Sequence, residues 1–176
     1  MNIMSRKSFL TIELVNLYVW GIDFMKSERA NALPVKIRYA LKKAMVKIEP
    51  DAKTWIEFNE AEGKAFREKW FDEEHSEATA IPKVDADGNP VLDENGVQET
   101  DEGRKIKDEY MEEFQAAQQE LQGKLNELLT ERNEYDINTV DFDEFVGSLD
   151  DDSPIKWEDI EMMSIIDETT NVVKEG

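Results

Sequence analysis

The chain has 176 residues and a formal net charge of −20, with 40% hydrophobic residues and no cysteine. Such a hydrophobic content is sufficient for a core and argues against a wholly disordered chain. No stretch reaches the roughly 18 consecutive apolar residues of a membrane helix, and the lack of cysteine excludes disulfides and thiolate metal sites. The length suits a single domain over residues 1–176.

The N-terminal segment begins with a basic pair and an apolar run, as a signal peptide does. Glu13, Asn16 and Asp23 interrupt the run, and no small-residue cleavage site follows. We therefore expect a mature cytosolic N-terminus. Apolar residues at helical spacing predict the first helix over residues 11–27.

A second helical segment is predicted over residues 34–74. Pro34 suits its first turn, and an apolar stripe continues from Ile37 to Trp70 in steps of three or four. Pro50 should kink or break a helix, yet the stripe keeps its phase across it. The prediction is one kinked helix or a pair of co-aligned helices, followed by a turn or hairpin over residues 75–100.

Residues 83–96, KVDADGNPVLDENG, look like a calcium loop at first sight. An EF-hand loop needs an oxygen ligand at position 1 and glycine at position 6. With Gly88 at position 6, Lys83 takes position 1; with Asp85 at position 1, Pro90 takes the place of glycine. Both registers fail, whereas the dipeptides DG and NG are typical of turns. We predict paired turns and no metal site. The candidate ligands, should a cation bind there, would be Asp85, Asp87 and Glu94.

A third helix is predicted over residues 102–132. Its apolar residues run from Ile106 to Leu128 in steps of 4, 4, 3, 4, 4 and 3, which is an eleven-residue repeat. Such a repeat keeps one face of a nearly straight helix buried. We expect this stripe to pack on the stripe of the second helix, forming a long antiparallel helical hairpin.

The remaining elements follow from a change of period. Alternating apolar residues predict a strand over residues 135–142 in a small antiparallel sheet. The hairpin at 83–96 either adds strands to this sheet or projects as a loop. Ser153 as a cap and Pro154 in the first turn predict a C-terminal helix over residues 154–168. Residues 169–176 should form a frayed tail. The fold class expected is α+β, mainly α.

Catalytic motifs are lacking. His75 is the only histidine, so no second histidine or cysteine can share a site with it. Its acidic neighbours at a helix end favour a solvated histidine. Glycine-rich phosphate loops and nucleophile-elbow signatures are also lacking. We expect a non-enzymatic protein without cofactors, with metal-dependent activity left open.

Charge is distributed unevenly. Residues 1–50 hold nine Lys/Arg against four Asp/Glu, a balance of +5, whereas the remaining residues have a balance of −25. This field repels nucleic acid and membranes and attracts basic protein surfaces. The basic residues of the second helix, from Lys36 to Lys47, should balance the acidic third helix. The acids form either a solubilising face or a partner-binding surface that imitates phosphates. The candidate partner-binding residues are Glu109, Glu113, Glu120, Glu127, Glu131, Asp141, Asp143, Glu144, Asp150, Asp151 and Asp152.

Five segments carry a resemblance to a known family. They are SFLTIELVNLYVW, NALPVKIRYALKKAMVKIE, DADGNPVLDENG, FQAAQQELQGKLNELL and YDINTVDFDEF. Together they resemble a family of small acidic proteins of unknown function encoded by tailed bacteriophages of Gram-positive hosts. The resemblance implies a phage gene expressed in the bacterial host cytoplasm and transfers no functional residues.

Two functions are therefore expected. The first is an inhibitor that binds a basic surface of a host defence or nucleic-acid-handling protein by nucleic-acid mimicry. The second is a virion or assembly component, such as a head–tail joining, tail or scaffold-like protein. In that case the helical stripe would pack between subunits of a homo-oligomer.

Overall fold

The computed structural model describes residues 3–150 and 152–173, with the side chain of Ile3 left aside. The fold is α+β and mainly helical, with two small antiparallel sheets and a C-terminal helix, so the predicted fold class is confirmed at this level. The residues group into two compact units, the first comprising 1–58 and 125–176 and the second 59–124.

The elements follow one another in a simple order, with short 3-10 turns at Glu28–Ala32, Asp108–Tyr110 and Ser164–Ile166. The strands and helices are β1 (Ile3–Leu10), α1 (Thr11–Lys26), α2 (Val35–Trp70), β2 (Ser76–Pro82), β3 (Thr100–Ile106), α3 (Met111–Leu129), β4 (Arg132–Thr139), α4 (Phe142–Gly147) and α5 (Trp157–Met163).

Strand β1 is an element that the sequence did not predict. It pairs antiparallel with β4, with Leu10 opposite Arg132. Lys7 and Phe9 point inward and are buried, whereas Met4 and Arg6 are exposed. A buried lysine breaks the alternation of apolar and polar residues by which a half-buried strand is recognised. That lysine is why the strand was missed.

The core of the first unit lies between α1, α2 and the C-terminal elements. Helix α1 buries Leu14 and Phe24, α2 buries Leu41 and Ile48, and Ile166 near the C-terminus is also fully buried. These positions recur at helical spacing in α1 and α2, which is why each helix presents one apolar face to the core.

Helix α2 runs without interruption through Pro50, so the alternative of two separate helices is wrong. The hydroxyl of Thr54 donates to the carbonyl of Pro50 at 2.8 Å. Proline removes one N–H from the ladder, and the buried residues Ile48 and Ala52 on either side of Pro50 hold both halves of the helix against the core. Tertiary packing therefore outweighs the local break.

Two predicted helices are shorter than expected. Residues 102–106 belong to β3 instead of the third helix, because Gly103 and its neighbours pair with β2 in the register that sets Gly103 opposite Thr79. The C-terminal helix begins at Trp157, three residues after the predicted start, and gives way to a 3-10 turn at Ser164.

The predicted strand and tail are also corrected. Strand β4 ends at Thr139, and Phe142 already begins α4, because the Asp141 carboxylate accepts a hydrogen bond from the Glu144 N–H at 3.3 Å and caps that helix. In the tail, the N–H of Val173 donates to the carbonyl of Arg6 at 2.9 Å. The segment up to residue 173 is therefore bound to β1, whereas residues 174–176 lie outside the described residues.

The second unit contains the end of α2, the β2–β3 hairpin and most of α3. Phe114 of α3 packs against Phe66 and Trp70 of α2, with ring centroids 5.5 and 5.6 Å apart. Strands β2 and β3 form a sheet of their own and do not join β1 and β4, so the turns at 83–96 extend a separate hairpin. Within this unit, α3 thus packs on the end of α2 through aromatic contacts.

Candidate interaction surfaces

The predicted acidic residues of α3 lie along an exposed face. Within the second unit, Glu113 and Glu120 are seven residues apart, so they share one side of the helix at an interval of about 10.5 Å. Both are exposed, and so is Glu127 of the first unit. A cation pairs with Glu120, since Lys124 Nζ lies 2.6 Å from its carboxylate and lowers the pKa of that group.

The other candidate glutamates of this region have no ion pair. Glu109, Glu113, Glu127 and Glu131 are exposed, and within residues 3–150 and 152–173 none of them contacts a Lys, Arg or His side chain. Glu109, Glu113 and Glu120 belong to the second unit, whereas Glu127 and Glu131 belong to the first. Each unit therefore presents carboxylates that its own cations do not neutralise.

The remaining predicted acids surround α4 and the loop after it. Asp141 is the cap of α4, and Asp143 and Glu144 lie in its first turn, where negative charge favours the helix dipole. Asp150 and Asp152 are exposed. Asp151 lies outside the described residues. Three of these acids thus have a local structural role in addition to any role in binding.

Three basic residues of α2 contact groups of the first unit. Lys43 lies over the ring of Tyr39, 5.4 Å from its centroid, and Lys47 donates to the backbone carbonyl of Asp136. Arg38 donates to the side chain of Asn31 at 3.4 Å. Lys36 and Lys42 are exposed.

The segment 83–99 contains two turns of the same design, which confirms the paired turns. The Asp85 carboxylate accepts the N–H groups of Asp87 and Asn89, and Asp93 does the same eight residues later with Asn95 and Val97. These bonds lower the pKa of Asp85 and of Asp93. Gly88 and Gly96 supply the left-handed conformation in each turn, with φ of 83° and 77°.

The candidate calcium ligands are not gathered into a cage. Within the described residues, the acids and histidine whose ligand atoms come within 4.8 Å of one another are Asp72, Glu74 and His75, and not Asp85, Asp87 or Glu94. Asp72 is already engaged, because its carboxylate accepts the His75 N–H at 2.8 Å and lies 2.9 Å from Nδ1 of the same residue. These bonds lower the pKa of Asp72.

His75 is packed against aromatic rings and only 19% exposed, whereas a solvated histidine was predicted. Its ring lies 5.2 Å from that of Trp70, edge to face, and 4.9 Å from that of Tyr110. Two cations fix the backbone around it: Arg104 donates to the carbonyls of Asp72 and Ser76 at 3.0 and 2.9 Å, and Lys107 donates to the carbonyls of Glu73 and Glu74. The site is therefore a structural corner at the end of α2. Sequence reading missed it because its members are up to 40 residues apart.

Two buried charged groups, Asp159 and Lys7, were also not predicted from the sequence. Asp159 is buried and accepts hydrogen bonds from Trp20 Nε1 at 3.1 Å and Arg29 Nη1 at 2.6 Å. Lys7 is fully buried and donates to the backbone carbonyls of Asp167 and Thr170. Burial lowers the pKa of Lys7 to about 8, against the opposing effect of the Asp167 charge. Both groups join elements more than a hundred residues apart in sequence.

No family model, curated protein or solved structure matches the chain. Over the described residues, no helix combines the length with the apolar character that crossing a membrane would demand. The function must therefore be inferred from the surfaces themselves.

Proposed function

We propose that this protein acts without catalysis, by binding a basic surface of another protein through its acidic α3 region. The observation that carries the proposal is the set of exposed glutamates Glu109, Glu113, Glu127 and Glu131. Their carboxylates have no cationic partner among the residues that the structure describes. The resemblance to phage proteins supports a partner in the bacterial host cytoplasm, such as a defence or nucleic-acid-handling factor.

Physical chemistry favours this role over nucleic-acid binding. A chain with a charge of −20 repels phosphates and accelerates encounter with a basic surface. Glu113 and Glu127 lie on α3, whose backbone is already ordered, so a partner's lysines and arginines gain ion pairs there without ordering a flexible segment. If those cations normally contact a nucleic acid, the protein competes with it and acts as an inhibitor by mimicry.

The decisive experiment compares two charge-matched variants. In the first, Glu109, Glu113, Glu127 and Glu131 are changed to glutamine. In the control, the exposed acids Asp23, Glu57, Glu60 and Glu94 are changed to their amides, which removes the same charge elsewhere. Each protein is immobilised and exposed to a lysate of a Gram-positive bacterium, and bound proteins are eluted with increasing salt.

We expect a partner that is retained by the wild type and by the control variant, elutes at moderate salt, and is lost from the first variant. Added double-stranded DNA should displace that partner if mimicry operates. Equal retention on both variants, or retention insensitive to salt, would contradict the proposal.

A virion or assembly component is the second candidate, favoured by one observation. Helix α3 carries Phe114, Leu121, Leu125 and Leu128, yet none of its residues is fully buried. An apolar stripe that its own chain covers only partly is suited to packing against another subunit. Leu121→Glu separates the two candidates in sizing chromatography with light scattering, because an oligomer that this change disperses favours assembly through the α3 stripe, whereas an unchanged oligomeric state favours an inhibitor.

A further inference from the structure

A groove between α1 and α2 has the dimensions and lining of a binding site for one large apolar side chain. It has a volume of about 330 Å³ and is lined mainly by Ile22, Met25, Met45 and Val46. Methionine side chains adapt to irregular shapes and make favourable contacts between sulfur and aromatic rings. The groove is therefore suited to an aromatic occupant.

Glycine shapes the floor of this groove. A Cβ atom at Gly21 would lie 2.2 Å from Cε and 2.6 Å from Sδ of Met45. Met45 consequently lies directly against the backbone of α1, with its thioether forming part of the wall. Any larger residue at position 21 would push Met45 toward the groove.

An exposed aromatic side chain is presented elsewhere in the same unit. Trp157 is the first residue of α5 and is 79% exposed, the largest exposed fraction of any large hydrophobic residue in the described chain. The segment is held firmly on either side, since Ile155 and Asp159 are buried and the Asp159 carboxylate accepts the Lys156 N–H at 3.0 Å. Tryptophan is the residue most often found as the central anchor of a protein interface.

Charge complements shape at the two sites. Lys26 and Lys42 line the groove, and the third charged residue there, Glu49, already pairs with Lys53 at 2.7 Å. Beside Trp157, the exposed residues Glu158 and Glu161 carry two negative charges against the one positive charge of Lys156. The same contrast holds for the whole chain, whose first 50 residues have a balance of +5 against −25 in the rest.

We propose that Trp157 of one copy inserts into the α1–α2 groove of a second copy, with Glu158 and Glu161 facing Lys26 and Lys42. The two contacting surfaces differ, so the contact is heterologous and would extend into a chain or close into a ring. This self-association uses surfaces distinct from the α3 glutamates. It therefore stands or fails independently of the proposed partner binding.

The test uses two variants of the full chain. Trp157→Ala removes the anchor and keeps the groove, whereas the double variant Lys42→Glu with Val46→Glu spoils the groove and keeps the anchor. All three residues are exposed, so near-UV circular dichroism and the melting temperature should stay close to wild type. The control is Lys64→Glu with Val97→Glu, which makes the same chemical changes at exposed positions of the second unit.

We expect wild type and control to associate with increasing concentration in sedimentation velocity, and more weakly in high salt. Each test variant alone should associate at least about thirty-fold more weakly, as loss of an interface anchor does. Mixed together, the two should form a 1:1 dimer that grows no further, because one intact groove meets one intact anchor. Wild type that stays monomeric at about 1 mM, association insensitive to Trp157→Ala, or a mixture without the dimer would each overturn the proposal.

Discussion

Arg29 Nη1 lies 2.6 Å from Oδ2 of Asp159, although 130 residues separate the two in sequence. The Asp159 side chain is 2% exposed, whereas that of Arg29 is 31% exposed. The same carboxylate accepts Trp20 Nε1, so a single aspartate joins α1, the turn after it and α5. A buried carboxylate depends on such partners for its stability in the folded state.

Removing the arginine should therefore be costly. We expect Arg29→Met to lower the free energy of unfolding by about 3 kcal/mol, because it leaves a buried charge without its cation. Urea denaturation followed by circular dichroism gives this value. Replacing both partners, as Arg29→Met with Asp159→Leu, should recover part of the loss, since no buried charge then remains.

An exposed ion pair provides the matched control. Arg6 Nη2 lies 2.8 Å from Glu134 Oε2, but both side chains are largely exposed. Exposed pairs contribute about 0–1 kcal/mol, so Arg6→Met should change stability little. Equal losses for Arg29→Met and Arg6→Met would show that burial of Asp159 has no energetic consequence.

The buried lysine predicts a rise of stability at alkaline pH. Lys7 has a pKa of about 8 in the folded protein against 10.5 for an ordinary lysine, chiefly because it is buried. Between these two values the unfolded chain binds a proton that the folded chain does not, so the free energy of unfolding rises by about 1.4 kcal/mol per pH unit. Below pH 8 both states are protonated, and this term no longer varies.

The contribution of Lys7 is measured by urea denaturation between pH 7 and 10.5, as the difference in the free energy of unfolding between wild type and Lys7→Met. The slope of the difference is the readout, since methionine also removes the donors to the Asp167 and Thr170 carbonyls. The exposed substitution Lys64→Met should give a curve parallel to wild type. Parallel curves for Lys7→Met as well would contradict an altered pKa.

Two glycines should respond to alanine with opposite signs. Gly123 lies within α3, and an added Cβ there would meet nothing within 4 Å. Gly123→Ala should therefore stabilise the protein by about 0.5–1 kcal/mol through helix propensity. Gly88 also has open space, but its φ is 83°, so Gly88→Ala should destabilise by about 1 kcal/mol. Thermal denaturation distinguishes the two, and a shift of the same sign in both would be incompatible with a conformational cause.

Proline 50 offers a further test of the uninterrupted helix. Pro50→Ala restores a backbone N–H to the ladder of α2 and should stabilise by up to about 3 kcal/mol. Pro154 precedes α5 and lies outside any helix. Pro154→Ala should instead be slightly destabilising, because it frees the unfolded chain. A destabilised Pro50→Ala protein would mean that the proline is required by the shape of α2.

The elements that sequence reading found are those whose own periodicity reveals their environment. The apolar stripes of α2 and α3 repeat over many turns, so the bounds of these helices were predicted to within a few residues. The exception is the start of α3, because the first residues of the predicted helix belong to β3. Strand β1 was hidden because Lys7 lies on its inner face. Strand β3 was hidden because Thr100–Ile106 is mostly charged and is held by backbone pairing with β2.

The candidate surfaces divide in the same way. The α3 glutamates are visible in the sequence because a helix of known phase places them on one side. Helical spacing predicts that Trp157 faces the core together with Ile160 and Met163, which is wrong for Trp157 because its side chain is 79% exposed. The α1–α2 groove was not visible in the sequence. The exposure of Trp157 depends on how much of α5 contacts the core. The groove depends on the contact between Gly21 of α1 and Met45 of α2. Neither relationship has a local sequence pattern.

The paired turns have a consequence for how this protein can change over evolution. The Val91 N–H donates to the Lys83 carbonyl, the Glu99 N–H to the Val91 carbonyl, and the Lys83 N–H to the Glu99 carbonyl. Lys83, Val91 and Glu99 are eight residues apart, so each turn is a cassette that begins and ends at equivalent positions. Loss of residues 92–99 would let Val91 pair with Lys83 directly and leave β2 and β3 in register. The tip of this hairpin can therefore gain or lose eight residues at a time without any change to β2 and β3.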